Sequence, residues 1–307
     1  MKYIYFFKYQ ENEIDLCALE FKILFNDTFH YKTYITDIDF DYTRSVYIKG
    51  KLTVLYSSKN LNDIIHHIKN DQLTYYDFKM MYLKNDITHI EYQDSLDAIN
   101  LVCVPIQGSV NFKEPKVKLA LTYINDTWYF GEYENELTWS LRMHKPHSYS
   151  HSLNTRDART LVNLAMGHCL NQTLVDPCCG VGTVVLEALS MGVNIEGYDI
   201  NRYVAYQARL NLEHFHYNPL IVNKKDMKVL DKKYDCCIMD IPYGVYSPFT
   251  YSQQLELISS TIHFTKRLVL VTHINMNKEL QALGYTIENQ CTITKGSFTR
   301  YITIANL

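Results

Sequence analysis

Hydrophobic and polar positions along the first part of this chain alternate in short runs. From residue 1 to about residue 134, two-residue periodicity predicts strands at 2–9, 29–35, 45–48, 75–83, 98–105, 116–124 and 127–130. Helical periodicity predicts helices at 13–25 and 61–68. Asn125 and Asp126, between the last two strands, are typical of a tight hairpin turn. This part is therefore expected to form a small α+β region.

From about Thr155 the pattern alternates strictly between helix and strand. Helices are predicted at 156–166, 183–191, 203–214, 253–265 and 278–283. Strands are predicted at 173–175, 194–200, 220–223, 234–239 and 267–272, followed by a hairpin of 286–294 with 301–304. Alternating strands and helices require a parallel sheet covered on both faces, so an α/β fold with an antiparallel C-terminal hairpin is predicted.

Length and composition set the domain prediction. The chain has 307 residues, 47% of them hydrophobic, which is enough for two packed domains. We expect an α+β region at 1–134, a linker at 135–154 and an α/β domain at 155–307. The net charge of -3 does not by itself indicate nucleic-acid binding.

Eight scattered or adjacent cysteines, with no Cys-x-x-Cys step, predict reduced thiols and no metal site. No apolar run approaches the roughly 20 residues of a membrane helix, so a cytoplasmic protein with no membrane partner is expected.

The first candidate site is the segment from Asp176 to Thr183, which reads Asp-Pro-Cys-Cys-Gly-Val-Gly-Thr after a predicted strand. Gly180 and Gly182 allow a tight turn and close approach of a nucleoside cofactor, and Thr183 opens a helix whose positive end favours an anion. Asp199, at the end of the next strand, is placed to accept both hydroxyls of a ribose. Asp226 follows the third strand, where it can accept from an adenine amino group.

A dinucleotide is the competing cofactor, because a glycine turn and a downstream acid also fit NAD. The third glycine of the dinucleotide fingerprint is replaced by Val185, however, which disfavours that alternative.

The second candidate site is Asp240-Ile241-Pro242-Tyr243-Gly244, which also follows a predicted strand. The Asp240 carboxylate and a carbonyl near Pro242 can each accept one N–H of a flat primary amine, and Tyr243 can stack on its ring. Positioning of this kind directs the nitrogen lone pair at an incoming methyl group. Carbon methylation of cytosine is disfavoured because Cys236 and Cys237 lie in the strand and not in this loop.

The two motifs in this order resemble class I S-adenosylmethionine-dependent amino methyltransferases. Within these, the chain is most similar to the tRNA guanosine-10 N2-methyltransferase group, whose catalytic domain follows a THUMP-type RNA-binding domain. The similarity extends to His144-Lys145-Pro146-His147, to residues 154–165 and to Gly296-Ser297-Phe298-Thr299-Arg300. The resemblance implies a Rossmann-like class I methyltransferase sheet with a C-terminal antiparallel hairpin, preceded by a smaller THUMP-like α+β domain.

Functional residues follow from the resemblance. It implies that S-adenosylmethionine is surrounded by five of the residues discussed above, namely Asp176, Gly180, Gly182, Asp199 and Asp226. It also implies that Asp240, Pro242 and Tyr243 hold the target amine, and that the substrate is guanine N2 of structured RNA, tRNA above all.

A basic strip is the candidate RNA contact, with Arg142, Lys145, Arg156 and Arg159 as phosphate ligands. A solvated linker fits this strip equally well. Alternatives to the substrate are adenine N6 in DNA or ribosomal RNA and a protein glutamine amide. A non-catalytic RNA-binding protein that retains the cofactor fold is the alternative outside enzymes.

Overall fold

The computed structural model of the protein describes residues 1–148, 153–241, 249–295 and 298–307. It consists of two compact units built from interleaved segments of the chain. The first unit comprises Met1–Lys8, His30–Thr43 and Tyr47–Leu137, and the second comprises Tyr9–Phe29, Arg44–Val46 and Thr138–Leu307. Two short N-terminal segments are thus parts of the C-terminal unit.

The chain up to residue 137 contains ten regular elements. They are β1 (Tyr3–Phe7), α1 (Ile14–Phe25), β2 (Thr33–Thr36), β3 (Ile48–Ser58), α2 (Leu61–Asn70), β4 (Thr74–Tyr82), α3 (Tyr92–Cys103), β5 (Gln107–Val110), β6 (Val117–Ile124) and β7 (Thr127–Glu134). The strands form a seven-stranded sheet of order β2-β1-β3-β7-β6-β4-β5. Asn125 and Asp126 both have positive φ, 48° and 58°, as the hairpin turn between β6 and β7 requires.

One predicted strand of this unit is wrong. Residues 98–105 were expected to be extended, whereas the chain forms α3 up to Cys103. The residues that α3 buries are Ser95, Ala98 and Val102, which are spaced three and four apart. This helical period was obscured because the short run around Val102 is also typical of a strand.

Twelve further elements lie in the described residues of the second unit. They are α4 (Thr155–Met166), β8 (Thr173–Asp176), α5 (Thr183–Ser190), β9 (Asn194–Asp199), α6 (Arg202–His214), β10 (Val222–Lys224), β11 (Tyr234–Asp240), α7 (Tyr251–Ser260), β12 (Thr265–Thr272), α8 (Asn277–Ala282), β13 (Thr286–Lys295) and β14 (Phe298–Asn306). No helix of the described ranges is long and apolar enough to cross a membrane.

The sheet of this unit is a mixed, Rossmann-like one. Its seven strands have the order β10-β9-β8-β11-β12-β14-β13. The first five in this order pair in parallel, and β14 pairs antiparallel with both β12 and β13. The predicted parallel sheet and its antiparallel C-terminal hairpin are therefore confirmed.

Strands β9 and β10 lie on one side of β8, whereas β11 and the later strands lie on its other side, so the switch point of the sheet falls between β8 and β11. Ligands of open α/β sheets bind at such a switch point, outside the carboxyl ends of the strands. Asp176 ends β8 and Asp240 ends β11, the strand beside it, while Asp199 ends β9 on the other side of β8. The sheet order thus brings these carboxylates to one edge.

Helix α1 packs against α4 and β13 of the second unit. Its Leu16, Phe21 and Leu24 are fully or almost fully buried. A polar network also joins these segments: Asn163 of α4 donates from Nδ2 to Glu20 Oε1 of α1 at 2.7 Å, and Arg44 donates from Nη2 to Asn163 Oδ1 at 3.1 Å. Residues far apart in sequence therefore complete the packing around α4.

Candidate active site

The loop between β8 and α5 depends on two glycines. Gly180 and Gly182 have φ values of 54° and 79°, in the left-handed region where a side chain is strained. The N–H of Cys179 donates to the carbonyl of Tyr198 at 2.8 Å, which fixes the loop to β9. The sequence prediction of a tight glycine turn at this point agrees with this backbone.

Close packing of α5 on the sheet depends on a third glycine, which the sequence reasoning missed. A Cβ at Gly197 of β9 would lie 2.8 Å from Val185 Cγ2, 3.2 Å from Val222 Cγ2 and 3.3 Å from Cys179 Cβ. In dinucleotide-binding folds a glycine on the helix supplies such space. Here Val185 occupies the helix position, and the strand residue supplies the space instead.

The carboxylate of Asp199 is held by the two backbone segments beside it. Its Oδ2 accepts from the N–H of Gly180 at 3.0 Å, and its Oδ1 accepts from the N–H of Asn201 at 2.8 Å. Burial raises the pKa of Asp199, and these two hydrogen bonds oppose the rise. Each oxygen keeps further lone-pair capacity, so the group can also accept from a vicinal diol.

The charges of four predicted site carboxylates act on the thiol of Cys178. Burial raises the pKa of Cys178 well above its ordinary value, and the charges of nearby acids raise it further, in the order Asp176, Asp199, Asp240 and Asp226. A neutral thiol in such surroundings is a poor nucleophile. Cys178 is thus a small apolar element at the centre of the acidic cluster.

Thr183 and Asp226 lie at helix starts near this cluster. Thr183, the first residue of α5, is buried, and within the described ranges its Oγ1 has no hydrogen-bond partner. A buried hydroxyl of this kind is expected to bind a ligand or water. Asp226 caps a short 3-10 turn by accepting from the N–H of Lys228 at 3.0 Å.

The carboxyl of Asp240 ends β11 beside the acidic cluster. Burial raises its pKa to about 7, the charge of Arg300 lowers it, and the charge of Asp157 raises it. Small changes in surroundings therefore decide whether this group is ionised at neutral pH. The other two residues predicted to hold the amine, Pro242 and Tyr243, lie outside the described residues.

Two further cysteines near the site lie in strand β11. Cys236 and Cys237 are buried, and burial raises the pKa of both thiols, that of Cys236 to about 11. Their burial within the sheet agrees with the sequence reasoning that disfavoured a cysteine nucleophile.

Two arginines of the basic strip form buried ion pairs with Glu187 of α5. Arg142 donates from Nε to Glu187 Oε1 and Arg159 donates from Nη1 to Glu187 Oε2, both at 2.8 Å. Only 3% of the Arg159 side chain and 1% of the Glu187 side chain are exposed. Arg159 is thus buried away from any RNA phosphate, and we assign it a structural role in place of the predicted phosphate contact.

The two remaining residues of the basic strip, Lys145 and Arg156, also interact with acids. Arg156 donates from Nε and Nη2 to the carboxylate of Glu13, at 2.8 Å in each case. Burial lowers the pKa of Lys145, and the charge of Glu187 opposes this. The RNA contacts of Arg142, Lys145 and Arg156 stay predictions.

Asn211 of α6 is another residue that the sequence reasoning missed. Its Oδ1 accepts from the N–H of His147, and its Nδ2 donates to the carbonyls of His147 and Val181, all at 2.9 Å. This fully buried amide ties the segment before α4 to the glycine loop. A single Asn in an amphipathic helix gives no sequence signal for such a role.

Taken together, an α/β sheet with a glycine turn after β8 and acids after β9 and β11 defines a methyltransferase domain of class I. Residues 142–256 match the family model UPF0020, RMKL-like, methyltransferase domain. This part of the chain is thus similar to methyltransferase domains of the RMKL-like type, and the resemblance to class I methyltransferases seen in the sequence is confirmed. The expectation of S-adenosylmethionine as cofactor agrees with this match.

Curated relatives are archaeal tRNA (guanine(10)-N2)-dimethyltransferases. That of Methanothermobacter thermautotrophicus is 36% identical over 107 residues, which are 34% of this chain and 32% of the relative. That of Pyrococcus abyssi is 30% identical over 154 residues, which are 47% of this chain and 46% of the relative. The chain therefore spans between about a third and a half of the length of these relatives.

Among solved structures, the chain is similar in fold to TrmN from Thermus thermophilus. The TM-score is 0.50 at 12% identity, and the match covers 100% of this chain and 99% of the other. At this identity the similarity concerns the fold alone.

Proposed function

We propose that this protein transfers a methyl group from S-adenosylmethionine to an exocyclic amine of an RNA base, with guanine N2 of tRNA as the preferred target. The observation that carries the proposal is the position of Asp240. It ends the strand next to β8 and lies in the same acidic cluster as Asp176, Asp199 and Asp226. A hydrogen-bond acceptor for the amine thus lies beside the residues assigned to the cofactor.

The described residues fit the cofactor. Asp199 is oriented by two backbone N–H donors and can accept the ribose hydroxyls, while Asp226 can accept from the adenine amino group. The buried Thr183 hydroxyl and the start of α5 can bind the carboxylate of the amino-acid part. When bound, S-adenosylmethionine supplies an electrophilic methyl group on a positively charged sulfur and leaves as a neutral thioether.

Asp240 has two tasks in this proposal. As a carboxylate it accepts one N–H of the amine, which directs the nitrogen lone pair towards the methyl carbon. Formation of the N–C bond leaves a positive charge on nitrogen, which the nitrogen loses as a proton. A carboxylate whose pKa is about 7 can take up that proton and release it to water near neutral pH. Pro242 and Tyr243 are proposed to accept the second N–H and to stack on the base.

The choice of RNA substrate is supported by the relatives. The curated proteins that match are tRNA (guanine(10)-N2)-dimethyltransferases, and the match includes the region with both candidate loops. Two domain assignments are parts of this proposal. Residues 1–134 are proposed to dock RNA in the manner of a THUMP domain, and residues 155–307 are proposed to form the methyltransferase domain.

The test is methyl transfer to bulk tRNA from [methyl-³H]S-adenosylmethionine, followed by mass spectrometry of the product nucleosides. We expect N2-methylated guanosine. We expect Asp240→Ala to reduce turnover by about 10²–10³-fold, the usual effect of losing one preorganised polar contact. Affinity for S-adenosylhomocysteine should stay within about twofold, because Asp240 contacts the amine and not the cofactor.

Glu213→Ala is the matched control, because it removes an exposed carboxylate at the end of α6. Detection of N6-methyladenosine as the product would show that the target is adenine and not guanine. A fully active Asp240→Ala protein would show that the amine is held elsewhere. Cofactor and tRNA binding without any transfer would favour the non-catalytic alternative.

A further inference from the structure

Three charged or titratable side chains share one face of the sheet at its carboxyl edge. Asp240 of β11 lies opposite Val271 of β12, which lies opposite Ile302 of β14. Since side chains alternate along a strand, the residues two steps further on point to the same face. These are His273, directly after β12, and Arg300 of β14. The sheet register therefore aligns Asp240, His273 and Arg300 on one side.

Helix α4 brings a second carboxylate to the same group. It packs against β11 and β12, and its Asp157 Oδ2 lies 3.7 Å from Arg300 Nη1. Asp157 is itself fixed by Asn154, the cap of α4, which donates from Nδ2 to Asp157 Oδ2 at 2.8 Å. The Asp157 side chain is 9% exposed and that of Arg300 16%, so water screens their charges only weakly. The guanidinium group thus lies beside Asp157, on the same face of the sheet as Asp240.

The surroundings of Asp240 contain more negative than positive charge. Among the described residues, the charged or titratable groups near it are Asp157 from α4, Asp176 from β8, Cys178 from the loop after β8, His273 after β12 and Arg300 from β14. Burial lowers the pKa of His273, whose Nδ1 lies 2.9 Å from the carbonyl of Thr299, and the charge of Arg300 lowers it further. His273 is therefore neutral at pH 7, and Arg300 is the cation of this group.

We infer that Arg300 is a positioning residue for the methyl transfer, which keeps Asp240 in the form that accepts a hydrogen bond from the target amine. Asp157 holds the guanidinium group in place for this task. The inference rests on the proposed function, and it gives a role to the Arg of the Gly-Ser-Phe-Thr-Arg segment. Burial and the charge of Asp157 favour the protonated carboxyl, and the charge of Arg300 acts against it.

The first measurement is independent of activity. Carboxyl ¹³C shifts of aspartate-labelled protein give the titration midpoint of Asp240, which Asp240→Asn assigns. Arg300→Gln should move this midpoint upward by about one pH unit or more, because an opposite charge is lost. Arg300→Lys should restore most of the shift. Lys278→Gln, which removes an exposed positive charge on α8, is the matched control and should leave the midpoint in place.

The second measurement is the pH dependence of turnover. Methyl transfer requires the ionised carboxylate, so the rate rises with pH through the Asp240 midpoint. The acid limb of the profile should therefore move to higher pH in Arg300→Gln and return in Arg300→Lys. Near pH 9 the Gln variant should approach the wild-type rate, which a purely structural defect would not do.

The two proposals fail in different ways. An Asp240 midpoint that stays in place in Arg300→Gln overturns the inference, whatever the activity. A wild-type protein that transfers no methyl group overturns the proposed function and the positioning role together, even when the midpoint moves.

Discussion

The backbone N–H of Gly180 donates a hydrogen bond of 3.0 Å to Oδ2 of Asp199. The acid proposed to hold the ribose therefore also fixes the glycine turn that the cofactor approaches. In the proposed function, ligand affinity at this site is therefore expected to depend on the two residues jointly, and not on the carboxylate alone.

Asp199→Ala should weaken the binding of S-adenosylmethionine and S-adenosylhomocysteine by about 1–3 kcal/mol, through lost hydrogen bonds to charged oxygen. Isothermal titration calorimetry measures this, with Glu213→Ala as the control for loss of an exposed carboxylate. Unchanged affinity in Asp199→Ala, or heat of binding with NAD, would contradict the assignment of this pocket.

Gly197→Ala should destabilise the fold by about 1–3 kcal/mol, the usual cost of overpacking. The added methyl group would lie 2.8 Å from Val185 Cγ2. The double variant Gly197→Ala/Val185→Ala should recover part of the loss, since it removes the atom in closest contact. Urea unfolding followed by circular dichroism gives both values. Additive losses in the double variant would show that the two positions do not compete for space.

Glu187→Ala should cost about 3–5 kcal/mol of unfolding free energy, because it leaves the buried guanidinium groups of Arg142 and Arg159 without their carboxylate. The control is Glu256→Ala, which removes the acid of a surface ion pair with Lys228. The Glu256 side chain is 58% exposed in that pair. This substitution should leave stability nearly unchanged. A stable Glu187→Ala protein would return Arg159 to the list of candidate RNA contacts.

Stability should depend on pH through Glu20. Burial raises its pKa from 4.5 to about 7, while hydrogen bonds from Asn163 and Ser45 and the charges of Arg44 and Arg159 oppose the rise. The folded state thus binds more protons than the unfolded state between these values, and the contribution of Glu20 to stability falls as pH rises through them. The difference between wild type and Glu20→Gln should fall by up to about 1.4 kcal/mol per pH unit. Urea unfolding at pH 5, 6, 7 and 8 measures it, and a constant difference would contradict the assigned pKa.

Local patterns were enough to predict the second sheet and the glycine turn after β8. A glycine turn or a strand end is encoded within a few residues, so Gly180, Gly182 and Asp199 were recognisable before the structure. Gly197 and Asn211 were not, because their roles depend on Val185, Val222 and Val181, which the fold brings near. The charge of Arg159 was misinterpreted for the same reason, because its partner Glu187 lies on a different helix.

The packing of α1 in the second unit has a consequence for synthesis of the protein. During translation, Ile14–Phe25 leaves the ribosome well before its partners in α4 and β13 have been made. The apolar side chains of Leu16, Phe21 and Leu24 then have no native surface to cover them. A nascent chain in this state is exposed to aggregation and is a natural client of chaperones. Completion of this unit therefore waits until β13 has been synthesised.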